Sequence, residues 1–235
     1  MVNRKRHKSW LRWLLSLLVK VAIACLILSV LLVLPWRWLP PPTSSFMVQS
    51  MVQGGQVRLY DYRWQPYSQI APDMALAAVA AEDQQFPNHH GFDIDALQEA
   101  IEDYQQGGDL RGASTISQQV AKNLYLWSGR SLGRKVLEAW FTVLLELLWS
   151  KQRILEVYLN VAQFGDRLFG VEAASQRFFA RPASELIPEE AALLAAVLPG
   201  PELYRVDQPS ATVLERQDWI LQQMQQLGID YLNRL

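Results

Sequence analysis

The apolar positions of this chain fall into two regimes. From Leu14 to Leu34 every one of the 21 residues is apolar except Ser16, Lys20 and Ser29. As a helix that run spans ~31 Å, enough to cross the hydrocarbon core of a bilayer. Beyond Pro72 the apolar positions recur at helical spacing. They do so over Met74–Glu82, Ser117–Leu126, the long stretch Arg134–Leu159, the alanine-rich Pro188–Leu198 and an amphipathic segment at about 210–226. Alternating, strand-like patterns are scarce, and there is no internal repeat. Between the regimes Pro40-Pro41-Pro42, Ser44-Ser45 and Gly54-Gly55 read as a linker. The pattern predicts a tail over 1–13, a transmembrane helix over 14–34, a linker over 35–60 and a folded domain over 61–235. The fold class is mainly α, a helical domain behind one N-terminal transmembrane helix, and ~170 residues can bury a real core.

Charge gives the membrane segment a direction. The 235-residue chain carries 22 basic and 23 acidic residues, but no Asp or Glu precedes Asp61. The cluster Arg4-Lys5-Arg6-His7-Lys8 ahead of the span predicts a cytoplasmic N-terminus and a domain outside the membrane. Lys20 lies near the basic end, where its stem can snorkel. Trp36 and Trp38 sit where the far interface falls. A cleaved signal peptide is the alternative, but the run exceeds a usual signal core and no small-x-small site follows it. Cys25, the single cysteine, lies mid-span, so the exported domain has no intrachain disulfide and stands on its core alone.

Three polar stretches carry candidate chemistry. In Glu82-Asp83-Gln84-Gln85-Phe86-Pro87-Asn88-His89-His90-Gly91-Phe92-Asp93 an apolar helix runs into paired carboxylates and is broken by Pro87 and Gly91. A carboxylate at a buried helix end beside a cleft is where burial raises a pKa toward acid–base use. A solvated helix end is the plainer reading. His89, His90, Asp93 and Asp95 fit no standard zinc spacing, and no metal site is assigned.

In Gly112-Ala113-Ser114-Thr115-Ile116-Ser117-Gln118-Gln119, Thr115 and Gln118 have capping-box spacing, which predicts a helix start, either simply a capped helix or one whose first amides favour an anion. Between Asp109 and Glu138 there is no acidic residue, yet Arg111, Lys122, Arg130, Arg134 and Lys135 all occur. Beyond residue 60 the formal balance is −9, with 14 basic against 23 acidic residues. An all-basic window inside so acidic a domain predicts an anionic ligand, a phosphate or pyrophosphate rather than nucleic acid. Lipid head groups are the plainer alternative. In Arg134-Lys135-Val136-Leu137-Glu138 the glutamate has cations at i−3 and i−4, giving either a salt bridge or a second active-site carboxylate. Lys151-Gln152-Arg153-Ile154-Leu155-Glu156-Val157-Tyr158-Leu159-Asn160 reads mainly as scaffold.

In this order and spacing, EDQQFPNHHGFD, GASTISQQVAKN, RKVLE and KQRILEVYLN resemble the glycosyltransferase-51 family of bacterial cell-wall enzymes. GVEAASQRFFARPASEL and PEEAALLAAVLPGP continue the likeness, which covers about residues 60 to 205 and the anchor. The chain is similar to the family's monofunctional members. The resemblance implies a lysozyme-like, two-lobed helical domain with a catalytic cleft between the lobes. It implies a glycan polymerase that joins a growing polyprenyl-pyrophosphate-linked glycan to the 4-hydroxyl of lipid II, inverting to a β-1,4 linkage.

Carried onto this sequence, the resemblance makes Glu82 the general base and Glu138 the second essential glutamate, helping the pyrophosphate leave directly or through a divalent cation. It places Lys122, Arg130, Arg134 and Lys135 near the donor pyrophosphate, and Ser114, Thr115, Gln118 and Gln119 along the cleft. No tightly bound cofactor is implied; Mg or Mn bridging the pyrophosphate is the inorganic group it admits. The implied partners are lipid II, lipid-linked glycan, the membrane and other cell-wall synthesis proteins, at the cytoplasmic (inner) membrane. Ala113, Gln163 and Arg167 depart from the commoner family residues and bear on the outer rim of the cleft. A lysozyme-like hydrolase and a non-catalytic assembly scaffold are the rival readings. Leu124, Tyr125, Leu126 and Trp127 are expected to form an apolar surface dipping into lipid.

Overall fold

The computed structural model describes residues 3–52, 57–105, 114–129 and 131–235. The chain divides into two units, Met1–Leu39 and Pro40–Leu235.

The first unit is helix α1 (Asn3–Val33), closed by the 3-10 turn Leu34–Arg37 with Pro35 in its first turn. Among the described residues, Arg12–Arg37 is the one segment long and apolar enough to cross a membrane. Leu15, Leu18, Ile27 and Leu31 are exposed along it, as lipid contact requires. Ser29 donates its hydroxyl to the Leu26 carbonyl at 2.8 Å, so its polar group is satisfied within the helix.

The second unit opens with α2 (Ser45–Val52), inside the segment expected to be linker. Its elements continue with β1 (Asp61–Tyr62), α3 (Pro72–Glu82), α4 (Ile94–Gln105), α5 (Ile116–Tyr125) and α6 (Leu132–Leu148). They end with α7 (Lys151–Val161), β2 (Gln163–Gly165), β3 (Leu168–Phe169), α8 (Val171–Phe179), α9 (Pro188–Val197) and α10 (Ala211–Leu227). The architecture is mainly helical, as the periodicity predicts. The stretch 134–159 holds two helices. Trp149 turns extended after α6, and Ser150 accepts a hydrogen bond from the Arg153 amide at 3.2 Å to start α7.

Two helix groups make the core. α3 is buried from Met74 to Ala80, and α9 is nearly as buried, because their alanines let backbones approach without a polar face. α3 packs against α9 and α10, while α5 packs against α6, α7 and α2; α3 also meets α7. The strands form one small sheet in the order β1-β3-β2, with β1 parallel and β2 antiparallel to β3. Gly170, at φ 83°, follows it where a Cβ would lie 2.7 Å from the Asn160 carbonyl oxygen.

The α7 motif does hold the scaffold. Asn160 accepts from the Gln65 amide at 2.7 Å and donates to the Gln65 carbonyl at 2.8 Å. Glu156 accepts from the Tyr67 amide at 3.0 Å, and the Arg153 guanidinium lies 5.0 Å over the Trp64 ring. α7 thereby pins the chain that leads into α3.

Candidate active site

α3 ends at Glu82, and its alanine-rich burial fixes where that carboxyl emerges. Oε2 accepts a hydrogen bond from Gln119 Nε2 at 2.8 Å. Tyr158 in turn donates its hydroxyl to Gln119 Oε1 at 3.3 Å, which turns the Gln119 amide nitrogen toward Glu82. Burial pushes the Tyr158 phenol well above its ordinary pKa and keeps it a donor. Glu82 Oε1 has no hydrogen-bond partner, although its side chain is only 12% exposed. Burial raises the Glu82 pKa above the usual carboxylate value; Gln119, Arg216 and Lys122 oppose the rise, and Asp83 adds to it.

Asp83 has another task. It accepts from His89 Nε2 at 2.9 and 3.1 Å and from the Ile116 amide at 2.9 Å. His89 Nδ1 accepts from the Gly91 amide at 3.1 Å, which places the imidazole proton on Nε2. Gly91 lies at φ 88°, where a Cβ would come within 2.7 Å of Thr142 Cγ2. The Gly91 carbonyl accepts from the Thr115 hydroxyl at 2.7 Å. Thr115 and Gln118 form the expected capping box, with bonds of 3.2 and 3.0 Å. The α3 end and the α5 start are thus tied together. The free anion site expected at the α5 N-terminus is taken in part by the chain's own Asp83, because a buried carboxylate needs those donors.

Positive charge is instead supplied by side chains. Ser131 caps α6 by accepting from the Arg134 amide at 3.2 Å. One turn on, Glu138 takes Arg134 Nη1 at 2.6 Å on one oxygen and Lys135 Nζ on the other. The Glu138 side chain is 3% exposed. Lys122 on α5 lies within the field of Glu82, Glu138, Arg134 and Lys135; burial lowers its pKa first, against the pull of Glu138.

These groups line one cleft of about 1050 Å³. It brings together Glu82, Ser114, Gln118, Gln119, Lys122, Arg134, Lys135 and Glu138. Thr115 is buried behind the wall, and Arg130 falls outside the described residues. His89 is engaged with Asp83 and Gly91, and His90 is exposed.

The sequence reading missed one wall. Thr212, Arg216 and Trp219 of α10 face the cleft, with Tyr204 beside them. Arg216 Nη2 lies 3.6 Å from Glu82 Oε1 and donates to the Ala81 carbonyl at 3.3 Å. The available signal was the spacing 212, 216, 219, which lies off the buried stripe Val213, Ile220 and Met224.

A largely buried carboxylate beside fixed positive charge suits group transfer on an anionic substrate, and the class is that of a helical transferase behind a membrane-length helix. A transglycosylase family model matches residues 52–225. A biosynthetic peptidoglycan transglycosylase of Xanthomonas euvesicatoria is 51% identical over 228 residues, covering 95% of this chain and 90% of the relative. One from Pseudomonas fluorescens is 50% identical over 230 residues, 96% of this chain and 95% of the relative. One from Xylella fastidiosa is 47% identical over 226 residues, 94% and 92% respectively. The chain belongs to the transglycosylase family.

Proposed function

We propose that this protein polymerises peptidoglycan glycan strands from lipid II, with Glu82 as the base and the Lys122–Arg134–Lys135 cluster receiving the pyrophosphate. The single observation that carries the reading is Glu82 Oε1, a largely buried carboxylate oxygen that accepts no hydrogen bond, in one cleft with those three cations. Oε1 accepts the proton of the acceptor 4-hydroxyl as that oxygen bonds to the donor's anomeric carbon. The bond from that carbon to the pyrophosphate oxygen breaks, and the leaving electron pair is met by the fixed cations. Gln119 and Arg216 hold the Glu82 carboxylate in place throughout.

Glu138 keeps Arg134 and Lys135 aimed at the leaving group. Both of its oxygens are occupied by those cations, so it makes a poor ligand for Mg or Mn, which take oxygen donors from free carboxylates. The residues do not fit a protein-held metal, and no step is assigned to one. Hydrolysis of a neutral glycosidic link gives no use for three clustered cations.

The function is tested with labelled lipid II and purified full-length protein in detergent. Growing strands are expected; shortening of finished glycan without growth would move the chain to the hydrolases.

The basic cluster before the span supports a cytoplasmic N-terminus and a domain outside. The residues expected to dip into lipid are mostly buried in the domain. Leu124 and Leu126 are buried, and Tyr125 stacks on Phe141 at 4.6 Å; of the four residues only Trp127 is exposed. The bare apolar stripe belongs to α6, from Leu132 (88% exposed) through Val136, Trp140 and Val143 to Leu147 (74% exposed). Its spacing keeps these residues on one helix face, fit for the lipid interface. In a variant of residues 40–235, changing Leu132, Val136 and Trp140 to Ser should weaken vesicle partitioning on the order of tenfold to a hundredfold. Sedimentation with vesicles reads this, and unchanged partitioning would rule the stripe out.

A further inference from the structure

α2, the first helix after the membrane segment in sequence, is braced against the cationic wall of the cleft. The Ser44 hydroxyl caps it by accepting from the Met47 amide at 3.2 Å, and Met47 is fully buried. Gln49 then fastens it to the turn that follows α5. Its Nε2 donates to the Leu126 carbonyl at 3.1 Å, and its Oε1 accepts from the Ser128 amide at 2.8 Å. A single side-chain amide so takes the place of a peptide unit across that turn, and α2 cannot slide along α5. Held there, Phe46 presents its ring to Lys122, whose Nζ lies 5.5 Å from the ring centroid.

The ring matters because of where Lys122 is. Its ammonium is largely withdrawn from water, and burial favours the neutral amine. The face of an aromatic ring attracts a cation and gives nothing to the neutral form. It also confines a four-carbon side chain with many rotamers to one direction.

We propose that Phe46 is a positioning residue for the anion site, holding the charged Lys122 side chain where the substrate pyrophosphate binds. The proposal rests on the reading of Lys122 given above. It makes the segment joining membrane and domain a part of the active site rather than a tether.

The test is equilibrium binding of fluorescent lipid II whose 4-hydroxyl is capped as a methyl ether, so that it cannot be extended. Full-length protein in detergent is titrated and anisotropy followed. Lys122→Met should weaken binding tenfold or more. Phe46→Leu, which keeps an apolar contact but no ring face, should weaken it roughly three- to tenfold. Phe46→Trp should bind at least as well as the natural chain. Phe46→Leu should add nothing in the Lys122→Met background, because the ring then has no cation to hold. Phe46→Met serves in its place if Phe46→Leu does not melt cooperatively. A Phe46→Leu factor that persists beside Lys122→Met, or no factor at all, overturns the proposal. Natural affinity in Lys122→Met alone overturns the site reading itself, and the proposal with it.

Discussion

Glu82→Gln is expected to lower the rate of strand growth by on the order of 10²–10⁴ while leaving the fold intact. The amide fills the same volume and still offers an oxygen to Gln119 Nε2, so the contact that orients the side chain survives. What disappears is the basic oxygen that accepts no hydrogen bond in the cleft. The thermal transition should stay where it is or rise. Burial sets the folded-state pKa of Glu82 above its unfolded value, so the ionised form is disfavoured in the native state. That cost grows as pH rises through the folded pKa, and a neutral amide avoids it. The same raised pKa predicts that the acid limb of kcat/KM lies above the ordinary carboxylate range, since a base must first lose its proton. Near-natural polymerisation by Glu82→Gln would remove the residue from its role.

Much of this arrangement is legible without coordinates, for reasons that differ from element to element. α3, α5 and α9 announce themselves because a buried helix needs long apolar or alanine runs and a capping residue, and Thr115 with Gln118 is such a cap. The scaffold character of α7 follows from polar residues at i and i+4 on an otherwise buried helix. Of the cationic window, Lys122, Arg134 and Lys135 line the cleft, while Arg111 and Arg130 lie outside the described residues.

Other features depend on contacts that no local pattern records. α2 is too short to show a period, and it is held by Gln49 reaching a turn far along the chain. The three strands have two or three residues each, shorter than any alternation can reveal. Arg216 looks like one more charge on an amphipathic helix until α10 is packed against α3. The α5 N-terminus reads as an open anion site because a sequence does not show that the Asp83 carboxylate already accepts a hydrogen bond from its Ile116 amide.

Glu138→Gln should reduce turnover on the order of 10²-fold without raising KM, a pattern that separates its two possible duties. As a plain salt bridge, Glu138 would matter through folding. Removing one partner of a buried ion pair leaves charge uncompensated at a cost of about 3–5 kcal/mol. Here the cost should be smaller, roughly 1–3 kcal/mol, because Lys135 is 49% exposed and the glutamine keeps one acceptor for Arg134. Differential scanning calorimetry should therefore show a cooperative transition, lowered by several degrees.

The kinetic consequence comes from what Glu138 does to its neighbours. Its two oxygens hold Arg134 and Lys135 in fixed directions and offset part of their charge. With that charge gone, both cations are free to settle on the pyrophosphate before the bond breaks. Tighter ground-state binding without matching gain in the transition state lowers kcat and leaves KM unchanged or smaller. It also slows departure of the polyprenyl pyrophosphate. A rise in KM at constant kcat would mean that Glu138 serves binding alone. A rate that falls only in step with the folded fraction would return it to the fold.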